Sequence, residues 1–288
     1  MRAAWLCLAW LGLAACRHGA PSIDEHVLPA ASSSVTASAP NAVSAPVAAS
    51  AAPPNAPRSA LPPLLGVAWI EHLDLPDGHE AFVTPPIGAR EPRPLIVAVH
   101  GAGDRAEWAC GGWRMVASEY AFVVCPQGLK MDPMRFGWDS AQTIRRRVTA
   151  SIGAARARFG EYIAGGPTLY VGFSQGATLS EPTLLDPAQP FPLVALAEGG
   201  YNLVQSEATL RRLKERGVER VLLACGTPPC FSTMKAALPR FERLGIDVSI
   251  GGDPTAGHNL NGEMQAGLQR VWPLFVAGLP NWRGFPRR

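Results

Sequence analysis

Leu169-Tyr170-Val171-Gly172-Phe173-Ser174-Gln175-Gly176-Ala177 is the stretch on which the reading of this chain turns. An apolar run of strand character leads into a G-x-S-x-G pattern and then into small residues suited to open a helix. A serine on a sharp strand-to-helix turn is pushed out of the sheet, and the glycines beside it avoid side-chain clashes there. The following helix N-terminus adds positive potential where an oxyanion would develop. Ser174 is therefore the candidate nucleophile. The strand and helix on either side carry that assignment, because the bare five-residue pattern arises easily by chance.

Outward from this point the chain alternates. Short apolar or β-branched runs fall at 81–84, 95–99, 122–125, 169–173, 193–197, 221–225 and 248–250. Helical segments are expected between the later ones, at 142–159, 175–186, 206–216, 232–244 and 262–275. Apolar strands separated by amphipathic helices predict an α/β fold, a mainly parallel, doubly wound sheet covered on both faces. Functional groups in such a sheet gather at the strand C-termini.

The chain resembles the α/β-hydrolase family, in particular its small carboxylesterase and polyester-esterase-like branches. The resemblance covers most of 95–275 and rests on three motifs. They are His100-Gly101-Ala102-Gly103-Asp104 after one strand, Gly172–Gly176 after a later one, and Gly257-His258-Asn259 near the end. It implies a serine nucleophile at Ser174 and an oxyanion hole of two backbone N–H groups, from Gln175 and Ala102. It implies no cofactor. His100, at a strand end, is expected to satisfy loop backbone groups rather than move protons.

A serine hydroxyl needs a base, usually histidine. The histidines are His18, His26, His72, His79, His100 and His258. The family order of serine, acid, histidine leaves only His258 after Ser174. Nine carboxylates lie between the two. Seven of them fall within helices or lead into strands, leaving Glu198 and Asp253 at strand ends. Many relatives carry an aspartate after the strand matching 221–225, where this chain has Gly226-Thr227-Pro228-Pro229-Cys230. Glu198, flanked by Gly199-Gly200, is the favoured acid and Asp253 the alternative; a dyad stays open.

The amino-terminal part reads differently. Arg2 and an apolar run over 3–15 have the form of a signal peptide (1–15), and Leu13-Ala14-Ala15-Cys16 resembles the lipobox of bacterial lipoproteins. That resemblance implies acyl chains on Cys16 and a lipid anchor in the membrane. Arg17 in place of aspartate favours the outer membrane. Residues 27–57 contain no charge and no aromatic, so 16–63 is expected to be a disordered tether spanning about 35–40 Å as a coil. The hydrolase domain is then 64–288.

Composition closes off other classes. The formal net charge of +3 is too small for a nucleic-acid binder. No H-E-x-x-H motif, C-x-x-C pair or histidine cluster is present, so no metal is expected. With Cys7 in the signal and Cys16 lipidated, Cys110, Cys125, Cys225 and Cys230 remain. An even count in an exported domain suggests two disulfides in one of three pairings; proximity favours Cys110–Cys125 and Cys225–Cys230. Arg145, Arg146, Arg147, Arg156 and Arg158 make one helix basic, either as a solvated face or as a contact for anionic headgroups. Trp108, Trp113 and Trp138 either line an acyl pocket or pack the sheet's upper edge. No substantial lid insertion is visible.

The expectation is a monomeric, envelope-tethered serine hydrolase of the carboxylesterase type, acting on a small-molecule or polymer ester. Peptidase or amide hydrolase chemistry at the same site, and a non-catalytic lipoprotein that uses the scaffold for binding, are the alternatives.

Overall fold

The computed structural model describes residues 60–66 and 68–286. The expected signal peptide, Cys16 and nearly all of the tether lie outside them. At the near end, Leu61 N–H and Leu64 N–H donate to the Arg90 and Ala89 carbonyls, and the Tyr162 hydroxyl donates to Pro62 O. The chain is thus fixed to the domain three residues before the expected boundary at Leu64.

Two antiparallel strands open the fold: β1 (Glu71–Asp74) and β2 (Glu80–Thr84). Then follow β3 (Leu95–Val99), α1 (Ala106–Val116), β4 (Phe122–Pro126) and a small hairpin of β5 (Leu129–Lys130) and β6 (Phe136–Gly137). After α2 (Ala141–Phe159) come β7 (Leu169–Phe173), α3 (Gln175–Thr178), α4 (Glu181–Leu184) and β8 (Leu193–Ala197). The last part is α5 (Tyr201–Gln205), α6 (Glu207–Glu215), β9 (Arg220–Cys225), α7 (Pro228–Arg243), β10 (Asp247–Gly252) and α8 (Gly262–Phe275). The main sheet has eight strands in the order β1-β2-β4-β3-β7-β8-β9-β10, and every pairing from β4 to β10 is parallel.

Every residue of β3, β4, β7 and β8 is buried, because helices cover both faces. Alternate side chains feed two cores. Val97, Val99, Val124 and Tyr170 meet Ile144 and Val148 of α2, Leu210 of α6 and Phe241 of α7. Ile96, Ala98, Val123 and Val171 meet Trp113 of α1 and Leu268 and Trp272 of α8. Helix starts follow local chemistry: Ser140 and Ser206 accept from the N–H groups of Thr143 and Thr209 and cap α2 and α6.

Two expected helices are corrected. The helix expected at 175–186 is two short ones, because Pro182 lacks the N–H that would reach Thr178 and instead sits in the first turn of α4. Pro228 and Pro229 likewise open α7 four residues before the expected start at 232. Neither α1 nor β1 was anticipated. Gly111-Gly112 weakens the helical signal of α1, but the Leu260 side chain packs closely over Gly112, where a Cβ would come within 2.9 Å of its methyl group. In β1 only Leu73 is buried, and three polar neighbours hide the edge strand.

The basic helix α2 is not simply a solvated face. Arg147 is buried, donating to Gln127 O and lying against the His79 ring. Arg156 donates to the Ala164 and Gly166 carbonyls, and Arg158 pairs with Glu71. Disulfides join Cys110 to Cys125 and Cys225 to Cys230. On chain-entropy grounds the first, with the longer loop, contributes about 3 kcal/mol and the second about 2 kcal/mol.

Candidate active site

The C-terminal ends of β3, β7, β8, β9 and β10 meet at one edge of the sheet. Ser174 follows β7 with φ 51° and ψ −111°, a conformation that L-residues rarely adopt. Its neighbours allow it. A Cβ on Gly172 would lie 2.8 Å from Ala177 N, and one on Gly176 would lie 2.3 Å from Val99 O. Both glycines of the motif are thus required by close backbone approach. From beneath, the buried Tyr170 hydroxyl donates to Gly176 O at 2.7 Å, and burial pushes that phenol far above its ordinary range.

Glu198 follows β8, His258 follows β10, and the two come together over Ser174. The distance from His258 Nε2 to Ser174 Oγ is 2.9 Å, and from His258 Nδ1 to Glu198 Oε2 it is 3.0 Å. A carboxylate only accepts, so Nδ1 carries the proton and Nε2 is left to accept from the serine hydroxyl. The Glu198 side chain is 2% exposed and that of His258 is 53% exposed. The buried carboxylate is compensated by donors that sequence reasoning missed. Gly226 N–H and Thr227 N–H donate to Oε1 at 2.5 and 3.0 Å, and the Thr227 hydroxyl donates to the same oxygen at 3.2 Å. Asp253, the alternative acid, is not brought to His258. Its Oδ1 accepts from Thr255 N–H and Oγ1 at 2.9 and 2.6 Å, which closes its own turn and holds its carboxyl below the usual range.

The loop after β3 faces the serine from the other side: a Cβ on Gly101 would lie 3.0 Å from the Ser174 Cβ. Ala102, next along this loop, is exposed, and Gln175 N–H is the first of α3. Among the described residues neither N–H has a protein acceptor. Gln175 also ties the two loops together: its amide accepts from Trp138 N–H at 2.9 Å and donates to Trp138 O at 2.8 Å. The Trp138 indole then donates to His100 O at 3.0 Å.

His100 is structural, as expected. Its Nδ1 donates to Gly101 O at 2.7 Å and its Nε2 accepts from Gly128 N–H at 2.9 Å, so both nitrogens are used by a neutral ring. Burial pushes its pKa from 6.5 down to about 4, against the raising effect of the Gly101 bond. The unfolded chain therefore takes up a proton that the folded chain refuses. Stability from this group is complete above the unfolded value of 6.5 and is lost as pH falls toward about 4. The loss across that window is about 3 kcal/mol. Denaturant unfolding measured across it should show a steeper pH dependence for wild type than for His100→Asn. Equal slopes would contradict the assignment.

Of the tryptophans considered for an acyl pocket, Trp113 is fully buried against Trp272 and Trp138 is buried against His100, so both pack the fold. Trp108 alone is exposed. Leu129, Met131 and Met134 stand exposed on the β5–β6 hairpin, which the sequence rhythm missed, and of these Met131 lies beside the Gln175 side chain. The hairpin is held to the loop after β3 by Gly103 N–H to Phe136 O and Phe136 N–H to Asp104 O. The donor atoms of Glu198, Cys225 and Cys230 lie within 4.8 Å of one another, but the two sulfurs are joined and offer no thiolate to a metal.

No protein-family profile and no curated protein matches the chain in sequence. Solved structures do. An uncharacterized protein from Bacillus cereus ATCC 10987 superposes with TM-score 0.53 and 16% identity over 66% of this chain and 61% of its own. The chain thus spans about three-fifths of that protein's length. A dienelactone hydrolase-like promiscuous phosphotriesterase from metagenomic libraries gives TM-score 0.52 and 20% identity, covering 72% of this chain and 97% of its own. The esterase PE8 gives TM-score 0.50 and 18% identity over 70% and 99%. Sheet order, crossovers and these likenesses together show that the chain has the α/β-hydrolase fold.

Proposed function

We propose that this protein is a serine hydrolase that cleaves esters through an acyl-enzyme on Ser174. One observation carries the reading: Ser174 Oγ, His258 and Glu198 form an unbroken hydrogen-bonded line, at 2.9 and 3.0 Å, on the functional edge of the sheet. In the first half-reaction Ser174 Oγ attacks the acyl carbonyl carbon while His258 Nε2 takes its proton. The carbonyl π electrons move onto oxygen, where the Ala102 and Gln175 N–H groups receive the charge. Collapse re-forms the carbonyl and expels the alkoxide, which takes the proton from Nε2. Water then repeats the sequence on the acyl-enzyme and frees Ser174. Glu198, held by Gly226 and Thr227, keeps Nδ1 protonated and stabilises the imidazolium. The chemistry needs no group from outside the chain. Exposed Met131, whose sulfur lies beside the Gln175 side chain, favours an ester with an apolar portion.

The test is fluorophosphonate labelling of the full chain with turnover of short-chain p-nitrophenyl esters and matched anilides. Stoichiometric label on the Ser174 peptide, with esters turned over faster than anilides, is the expected result. A folded chain that neither labels nor turns over sinks the reading, and anilides cleaved as fast as esters would make it an amidase.

The same proposal places the enzyme in a bacterial envelope, supported by Leu13-Ala14-Ala15-Cys16 and the uncharged stretch that follows. Cys16→Ala should abolish incorporation of labelled palmitate and move the protein out of the membrane fraction. Retention of the label in Cys16→Ala would exclude Cys16 as the lipidated residue.

A further inference from the structure

Taking the serine-hydrolase reading as its basis, we propose that the Cys225–Cys230 disulfide is a positioning element for both the acid and the base. Cys225 ends β9 and Cys230 lies in the first turn of α7, so the bond clamps the turn between them. That turn works in two directions. Its donors, Gly226 N–H, Thr227 N–H and the Thr227 hydroxyl, converge on Glu198 Oε1. Its carbonyls hold the histidine loop: Cys225 O accepts from Asp253 N–H at 2.9 Å, and Gly226 O accepts from Gly257 N–H at 2.7 Å. Gly257 is the residue before His258. The fit leaves no slack, since a Cβ on Gly226 would stand 2.1 Å from Gly257 O.

The fold has placed no carboxylate after β9; this turn instead grips a carboxylate that β8 supplies. Two backbone N–H groups reach one oxygen only while the main chain between them keeps its course. The buried disulfide, with sulfurs within 4.8 Å of the carboxylate oxygen, fixes that course. Cys110–Cys125 differs. It ties α1 to β4, beside the Phe82 and Val123 carbonyls, and bonds to neither triad loop. It also closes the longer loop, so it restricts the unfolded chain more. One disulfide is thus assigned to geometry and the other to stability.

The experiment uses the full chain. Cys225→Ser/Cys230→Ser should lower kcat for a short-chain p-nitrophenyl ester by about 10–100-fold while KM stays within about 2-fold. Cys110→Ser/Cys125→Ser should lower the thermal midpoint more and leave kcat near wild type. In a Glu198→Gln background, removing the Cys225–Cys230 bond should cost less than it does in wild type, because the share of the loss that comes from misplacing the carboxylate is already gone and only the share from the histidine loop is left. Amide exchange at Gly226, Thr227 and Gly257, read by NMR, should rise by at least about 10-fold without the bond. If the serine pair does not fold, Cys225→Ala/Cys230→Val refills the buried volume and is read in the same way. Unchanged kcat with unchanged exchange overturns the proposal, and so does a loss that adds fully to that of Glu198→Gln. A wild-type chain without turnover overturns the hydrolase reading instead, a result distinct from a disulfide variant that matches an active wild type.

Discussion

Ser174→Ala is expected to lower kcat by about 10⁶-fold while leaving the fold intact. The size follows from how the three groups depend on one another. In the proposed mechanism His258 Nε2, 2.9 Å from Ser174 Oγ, works through the hydroxyl proton, so without it the histidine and glutamate have nothing to activate. What remains is binding and the oxyanion donors, which in serine proteases still give about 10³–10⁴-fold over water. The small change in side chain should barely affect the elbow, whose shape rests on Gly172, Gly176 and the Tyr170 hydroxyl. Thermal unfolding beside ester turnover checks both halves. Turnover within about 10-fold of wild type would remove Ser174 from the mechanism.

Glu198→Gln should lower kcat by about 10⁴-fold, with stability nearly preserved. The oxygen position facing Gly226 and Thr227 is surrounded by donors, so the glutamine carbonyl takes it. The amide NH₂ is then left facing His258 Nδ1, 3.0 Å away in the native pair. A donor there makes Nδ1 the acceptor and shifts the ring proton to Nε2, where it points at Ser174. The imidazole is held in place as the wrong tautomer, and the charge that stabilised the imidazolium is gone. Asp253→Asn is the matched control, since that carboxylate serves only Thr255. Steady-state kinetics on the pair decide the acid: a large loss at 253 with little at 198 would reverse the assignment.

Much of the candidate site's geometry was legible because chemistry restricts which residue types can serve. Strand-then-glycine placed Ser174, order along the chain left one histidine, and position at a strand end singled out Glu198 over seven other carboxylates. Asp253 could not be dismissed from sequence, since it too follows a strand. It is set aside only by Thr255, two residues away, which occupies its carboxylate. The donors from Gly226 and Thr227 left no mark on side-chain identity, because two of the three are backbone groups that any residue but proline offers. The tryptophans left two readings open for a related reason. Size and apolarity suit a pocket wall and a buried core equally, and Trp113 and Trp138 went to the core.

The same division runs through the fold. Sequence alone determined the alternating architecture, the elbow and the direction in which functional groups would gather, because those depend on hydrophobic period and on local backbone sterics. Tertiary structure alone decided where helices break at Pro182 or begin at Pro228, whether glycine-rich 106–116 is a helix, and which buried arginine is packed rather than solvated. It also decided that the turn after β9 holds the Glu198 carboxylate instead of supplying a carboxylate of its own. Each of these rests on contacts between residues distant along the chain, and no local pattern records the free energy of such a contact.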